Sequence, residues 1–293
     1  MSAVKNILTI VSDTNSGRTA LRSALRLAEN FRCHVDALHV RPDPVAALPL
    51  VGEAMSGAVV DEMMGMAERE ALVRSAGTRA MYNELLANRG LVDGSGPPSS
   101  GEAGASWIEE TGIEEQIVAT RACRADFIVL ARPTPDNETS ALITLNAALM
   151  QSGRPVIAAP PNLSKEANSD GPFKRIAVFW NGSTEVTRAV AAAQPFFEAA
   201  DEVVVLRVEE EEWFAPTEDL EMYLERHEVK TVVRKALPLE SKTGRALMAS
   251  TTEVGADLMV MGAYTRSKLR QLILGSVTGY VMREATLPVL MCH

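Results

Sequence analysis

At 293 residues the chain is long enough for two ordinary domains, each burying its own core, and 46% hydrophobic with 23% charged residues is a globular composition that argues against disorder or a fibre. A net charge of −9 opposes general nucleic-acid binding, which rests on Lys and Arg neutralising phosphates. No run approaches the roughly 18 consecutive apolar residues of a membrane span, so no membrane partner is expected.

The opening MSAVKNILTIVSD leads straight into a strand pattern. It lacks an apolar core followed by a small-residue cleavage site, so no signal peptide is expected. In NILTIVSD the apolar, β-branched residues predict a strand, and TNSG a polar turn. Leu21, Ala24, Leu25 and Ala28 then fall on one helical face, and HVDALHV returns to strand character. A long helical region follows, with Met63, Met64 and Met66 as core or interface filler. The polar stretch GLVDGSGPPSSGEAG is expected to be a mobile loop before the short strand ASWIEE. The helix EEQIVATRACR, the strand ADFIVLA, the helix TSALITLNAALMQ and the Pro-led strand RPVIAAPP complete the first half. Residues 161–172, rich in Pro, Asn, Ser and charge, read as a linker between domains 1–160 and 173–293.

The second half repeats the grammar. KRIAVFW is a strand and NGST a turn, and Val186, Ala189, Val190, Ala193 and Phe197 form a helical stripe before the strand EVVVLRV. The acidic run EEEEW is expected to be solvated and to lead into the helix of PTEDLEMYLERH. GRALMASTTEVG is helical, ADLMVMGAY matches ADFIVLARP, and LPVLMCH matches RPVIAAPP. Strands alternating with helices specify parallel sheets, because a parallel pair needs a long crossover. The fold expected is therefore α/β: two Rossmann-like domains, each a five-stranded parallel sheet with helices on both faces. The apolar closing strands VIAAP and VLMC invite pairing as edges. Cys33, Cys123 and Cys292 form no CxxC pair and read as free thiols in a reducing cytoplasm.

Ligands of open parallel sheets sit beyond the carboxyl ends of strands. Gly262 follows the strand DLMVM at that end, and Gly275-Ser276 precedes the helix SVTGYVMRE. Ser276 is a suitable N-cap there, and the N–H groups of Gly275, Ser276 and Val277 are placed to meet an anion. Arg266, Lys268 and Arg270 add positive charge nearby, though alternating basic residues are usually solvated.

The closing segment MGAYTRSKLRQLILGSVTGYVMREATLPVLMCH resembles the signature of the universal stress protein family. Nucleotide-binding members of that family carry Gly-x-x-Gly, nine residues, then Gly-Ser/Thr. Gly262 and the Gly275-Ser276 pair fit, but Thr265 stands at the second glycine position. If that position requires a positive φ, a β-branched residue is unfavourable there by about 1–3 kcal/mol. The turn after the strand RIAVF is similar to the family's D/N-G-S turn beside the ribose, with Asn181, Gly182 and Ser183 in its positions. The resemblance thus implies a nucleotide site at Asn181, Gly182, Ser183, Met261 and Gly262, completed by Thr265, Gly275, Ser276 and Val277. It implies ATP, with Mg2+ accompanying it, as a regulatory ligand of a stress-response protein with a protein partner still to be found.

The first half departs further. Arg132-Pro133-Thr134-Pro135 stands where the glycine motif would be, and the first strand ends in Ser12-Asp13. A degenerate, structural partner domain is expected, and the resemblance implies that the two halves pair through their last strands as an intramolecular pseudo-dimer, with a further homodimer open. Two alternatives remain, a slow ATP hydrolase and a scaffold without a ligand. The sequence has no Walker loop, SGGxDS loop or HxGH pair, and His34, His39, His227 and His293 suggest no nucleophile–base pair or metal set.

Overall fold

The computed structural model describes residues 4–43, 57–94, 102–135, 137–161, 171–208, 217–229, 232–237, 243–264 and 276–293. The first half runs β1 (Asn6–Ile10), α1 (Asn15–Phe31), β2 (His34–Arg41), α2 (Gly57–Ala87), β3 (Gly104–Thr111), α3 (Glu114–Ala122), β4 (Phe127–Ala131), α4 (Glu138–Gln151) and β5 (Val156–Ala159). The second half continues β6 (Arg175–Phe179), α5 (Thr184–Ala192), the short α6 (Gln194–Phe197), β7 (Glu202–Val208), α7 (Thr217–Arg226) and β8 (Val232–Leu237). It closes with α8 (Thr243–Glu253), β9 (Leu258–Gly262), α9 (Ser276–Glu284) and β10 (Val289–Cys292).

Each half is a doubly wound parallel sheet, ordered β3-β2-β1-β4-β5 and β8-β7-β6-β9-β10. The two halves join into one ten-stranded sheet through β5 and β10, which run antiparallel with Leu290 opposite Ile157 and Val289 opposite Ala158. The closing strands are therefore not open edges, and the halves meet as two subunits of a dimer would.

Alternating residues divide the core between the two faces of this sheet. Ile7, Val129, Ile157, Val260 and Leu290 face α1, α2, α5 and α6, while Leu8, Ile128, Ala158, Met259 and Met291 face α3, α4, α8 and α9. Each cluster runs through both halves without a break. Phe196 shows how the seam is filled: its ring lies 5.1 Å from Phe31 and 5.4 Å from Phe127, both in the first half, and 5.8 Å from Phe173. Arg26 of α1 lies 4.6 Å over the Phe173 ring and donates to the Gly171 carbonyl from Nε and Nη2 at 2.9 and 2.7 Å. The start of the second half is thus held on α1.

The internal repeat extends to a polar clip. Asp126 Oδ2 accepts from the N–H groups of Lys5 and Asn6 at 2.7 and 3.0 Å. Asp257 repeats the contact with Lys174 and Arg175 at 2.7 and 3.1 Å. Each carboxylate ties the start of a sheet's central strand to the turn before its neighbour. Burial pushes the Asp257 carboxyl above its usual range, although the two backbone donors pull the other way.

One sequence expectation needs adjustment. Met63 and Met66 do not fill a core: both are exposed on the first half of α2, whose buried residues begin only at Ala71. The linker residues 162–170, residues 95–101 of the expected loop before β3 and the acidic run Glu209–Trp213 lie outside the described residues.

Candidate functional site

In the second half, β6 pairs with β7 on one side and with β9 on the other. The chain leaves β6 for α5 on one face of the sheet, whereas β9 is followed by α9 on the opposite face. The carboxyl ends of β6 and β9 therefore flank the point where strand order reverses, the place at which such sheets form a ligand crevice. Phe179 lies in register with Met261 there, so the loop after β6 and the end of β9 are side by side.

The loop after β6 is built by its own side chains. Asn181 Oδ1 accepts from the Ser183 N–H at 3.2 Å, which folds the chain into an Asx turn. Gly182, with φ 67, supplies the left-handed step of that turn. Ser183 caps α5, its Oγ accepting from the Val186 N–H at 3.3 Å while its carbonyl accepts from Thr187 Oγ1 at 2.9 Å.

Gly262 ends β9 against the first turn of α5. A Cβ at this position would lie 2.8 Å from the Val186 nitrogen and 3.0 Å from the Glu185 Cβ, so only glycine lets the strand end and the helix start approach this closely. The Met261 side chain is buried in the core facing α8 and α9, which leaves only its backbone to a ligand. Val277 is half-buried beside the same core. α9 begins at Ser276, whose side chain lies outside the described residues together with Thr265, Gly275, Arg266, Lys268 and Arg270.

A left-handed residue does occur after β9, and it falls on Tyr264, with φ 64. An aromatic residue in that region costs of order 1–3 kcal/mol and persists only where its surroundings hold it. Here the ring is buried, meets His293 edge-on at 6.1 Å, and donates its hydroxyl to Asn146 Oδ1 on α4 of the first half. Burial pushes the Tyr264 phenol up to about 12.

The corresponding place in the first half is built differently. Ser12 Oγ lies 2.9 Å from Thr14 Oγ1, which in turn lies 3.0 Å from Ser16 Oγ and caps α1 by accepting from the Gly17 N–H. Gly17 sits so near Ser12 that a Cβ would come within 2.5 Å of its carbonyl oxygen. Ala131 occupies the strand position matching Gly262. Asn137 Oδ1 takes the Thr134 N–H and hydroxyl, both at 2.8 Å, and so occupies the turn before α4. Arg132 turns inward: it is 3% exposed, and Nη1 donates to the Val281 carbonyl of α9 at 3.2 Å. Burial pulls its guanidinium down to about 10, against the attraction of Glu284. Asp13 is exposed at the surface of the turn.

Sequence reading missed three residues, Arg132, Asn146 and Tyr264, as contacts between halves. It also missed a polar cluster at the amino ends of the first strands. Ser106 Oγ lies 2.9 Å from His34 Nε2 and donates to Asp36 Oδ1 at 3.0 Å. The single hydroxyl proton goes to the carboxylate, so His34 Nε2 must carry a hydrogen and donate to Ser106. That is the reverse of a general base at a nucleophile. The cluster therefore ties β2 to β3, and Asn6 adds β1 by donating from Nδ2 to Asp36 Oδ2 at 3.0 Å. Among the described residues no group of three or more His, Cys, Asp or Glu is placed to hold a metal ion.

Fold and crevice define a tandem of doubly wound α/β domains with one elaborated switch point, in the second half. Residues 172–293 match the model of the universal stress protein family. Among solved structures, a universal stress protein from Archaeoglobus fulgidus is similar over 98% of this chain and 95% of its own, with a TM-score of 0.61 at 16% identity. A protein of unknown function from Pseudomonas aeruginosa is similar over 98% of this chain and 92% of its own, with a TM-score of 0.50 at 14% identity. These likenesses show that the fold spans both halves. No curated protein sequence matches the chain, and no helix among the described residues is long and apolar enough to cross a membrane.

Proposed function

We propose that this is a cytoplasmic stress-response protein whose domain 173–293 binds one adenine nucleotide, ATP, as a regulatory ligand, while domain 1–160 binds none. The observation that carries the reading is the close approach of Gly262 to the first turn of α5, beside the Asx turn of Asn181, Gly182 and Ser183. Bare backbone at the end of β9 and a hydrogen-bonding turn at the end of β6 suit a ligand that combines phosphates with ribose hydroxyls.

The residues present fit such a ligand. With its Oδ1 engaged by the turn, the Asn181 carboxamide offers Nδ2 as a donor to a ribose hydroxyl. Backbone N–H groups from Gly275 to Val277, at the start of α9, would take the phosphates, and Mg2+ would arrive with the nucleotide. ATP then acts by preferring one arrangement of the halves over another, which is how a bound ligand biases the choice of a protein partner. Ala131 in place of a glycine at the end of the matching strand of the first half supports a single site per chain.

Calorimetric titration of the whole chain with ATP in Mg2+ tests this reading. It should give one nucleotide per chain, and Gly275→Val should abolish the heat by filling the phosphate approach. No heat from the wild-type chain, or unchanged binding by the variant, would overturn the site and favour a ligand-free scaffold.

A further inference from the structure

Tyr264 and α9 bracket residues 265–275 in the chain, and both are held by the first half. On one side the Tyr264 hydroxyl donates to Asn146 of α4, and the buried ring keeps the left-handed backbone in place. On the other, the Arg132 guanidinium reaches across the seam to the Val281 carbonyl, which also accepts from the Ala285 N–H at 2.9 Å in the last turn of α9. A cation suits the carbonyl end of a helix, where the dipole is negative, and Glu284 on the same turn adds attraction. The two contacts run in opposite directions over the seam: a residue following β9 reaches α4, and a residue following β4 reaches α9.

We infer that the first half is a positioning partner of the nucleotide crevice, with Asn146 fixing the Gly262–Tyr264 end of the site and Arg132 fixing α9. The inference rests on the nucleotide reading of the second half. Neither residue touches the ligand; each sets the distance between bare backbone at Gly262 and the amide groups at the start of α9. The arrangement gives the degenerate half a task.

Arg132 is a sensitive probe because its burial is costly. Among the described residues its Nε has no hydrogen-bond partner, and Val281 keeps its helical bond to Ala285 when the guanidinium is removed. Replacing a buried, incompletely paired charge by an apolar residue of similar size is often neutral or stabilising. A residue that served stability alone would therefore show nothing in Arg132→Met, whereas a positioning residue would split affinity from stability.

The test is ATP titration and thermal unfolding of the whole chain for wild type, Arg132→Met, Arg132→Lys and Asn146→Leu, with amide hydrogen exchange followed over residues 276–284. Arg132→Met is expected to melt no lower than wild type yet bind ATP about 5- to 20-fold more weakly, within the usual range of coupling between sites. Arg132→Lys, whose ammonium still reaches the carbonyl, should recover part of that loss, and Asn146→Leu should weaken binding to a similar degree. Exchange over 276–284 should quicken in Arg132→Met without ATP present. Wild-type binding with unchanged affinity in the variants would overturn this inference alone. A wild-type chain silent toward ATP would overturn the nucleotide reading and this inference with it, and unchanged exchange would also count against the positioning role of Arg132.

Discussion

Gly262→Val is expected to lower the stability of the protein by about 1–3 kcal/mol and to abolish nucleotide binding. The added Cβ would lie 2.8 Å from the Val186 nitrogen and 3.2 Å from the Glu185 carbonyl carbon, both of them backbone that cannot swing away as a flexible side chain would. Either β9 or α5 must retreat. β9 is held by β6 and β10 in register on both sides, so the first turn of α5 is the part that gives. Its retreat would strain the Ser183 cap and the Asx turn of Asn181, which form one wall of the crevice. Denaturant unfolding measures the first effect and ATP titration the second. Gly77→Ala on α2, where nothing lies within 4 Å of the new methyl, is the control. It should gain of order 0.5–1 kcal/mol from improved helix propensity and leave binding unchanged. Equal behaviour of the two variants would show that the close approach at Gly262 is unimportant.

The second large effect is expected at the seam. Leu290 and Ile157 sit opposite one another in the antiparallel pair of β10 and β5, and both are essentially fully buried on the face that carries α1 and α5. Truncating either to alanine should cost about 2–5 kcal/mol through lost burial and an unfilled cavity. Because both side chains line the same space, the double variant should lose less than the sum of the two single losses, a coupling visible in a double-mutant cycle. Unfolding of wild type should be a single transition, since both core clusters continue across the seam. Two separate transitions, with the alanine variants lowering only one, would show that the halves are stable alone and merely touch.

Much of this architecture is legible in the chain. The alternation of apolar runs with helical stripes, repeated from Lys174 onward, specifies ten parallel-type strands in two sets, because nearly all-apolar strands need helices on both faces. The repeated Ala-Asp before IVL and MVM was in plain view as well, and it marks the Asp126 and Asp257 clips. The Asn181-Gly182-Ser183 turn and Gly262 could be placed at strand ends from local pattern alone. What pattern does not carry is contact between segments distant in the chain. Gly262 is needed because α5 lies against it, and the spacing of a motif says nothing of that. The left-handed residue falls on Tyr264, a position where sequence gives no glycine as a sign and where burial and the Asn146 hydrogen bond supply the compensation. Arg132 looked like the loss of a motif; in the fold it is a buried cation reaching the other half. The exposed Met63 and Met66 show the same limit, since helical periodicity continues along α2 beyond the residues that the sheet covers.

The central claim, one working crevice in the second half and none in the first, is tested most directly by photo-crosslinking the whole chain with an azido-adenine analogue of ATP and mapping the modified peptides. The account predicts a single labelled region within residues 172–293, suppressed by excess ATP and lost in Gly262→Val. Labelling of residues 4–161 that excess ATP also suppresses would contradict it.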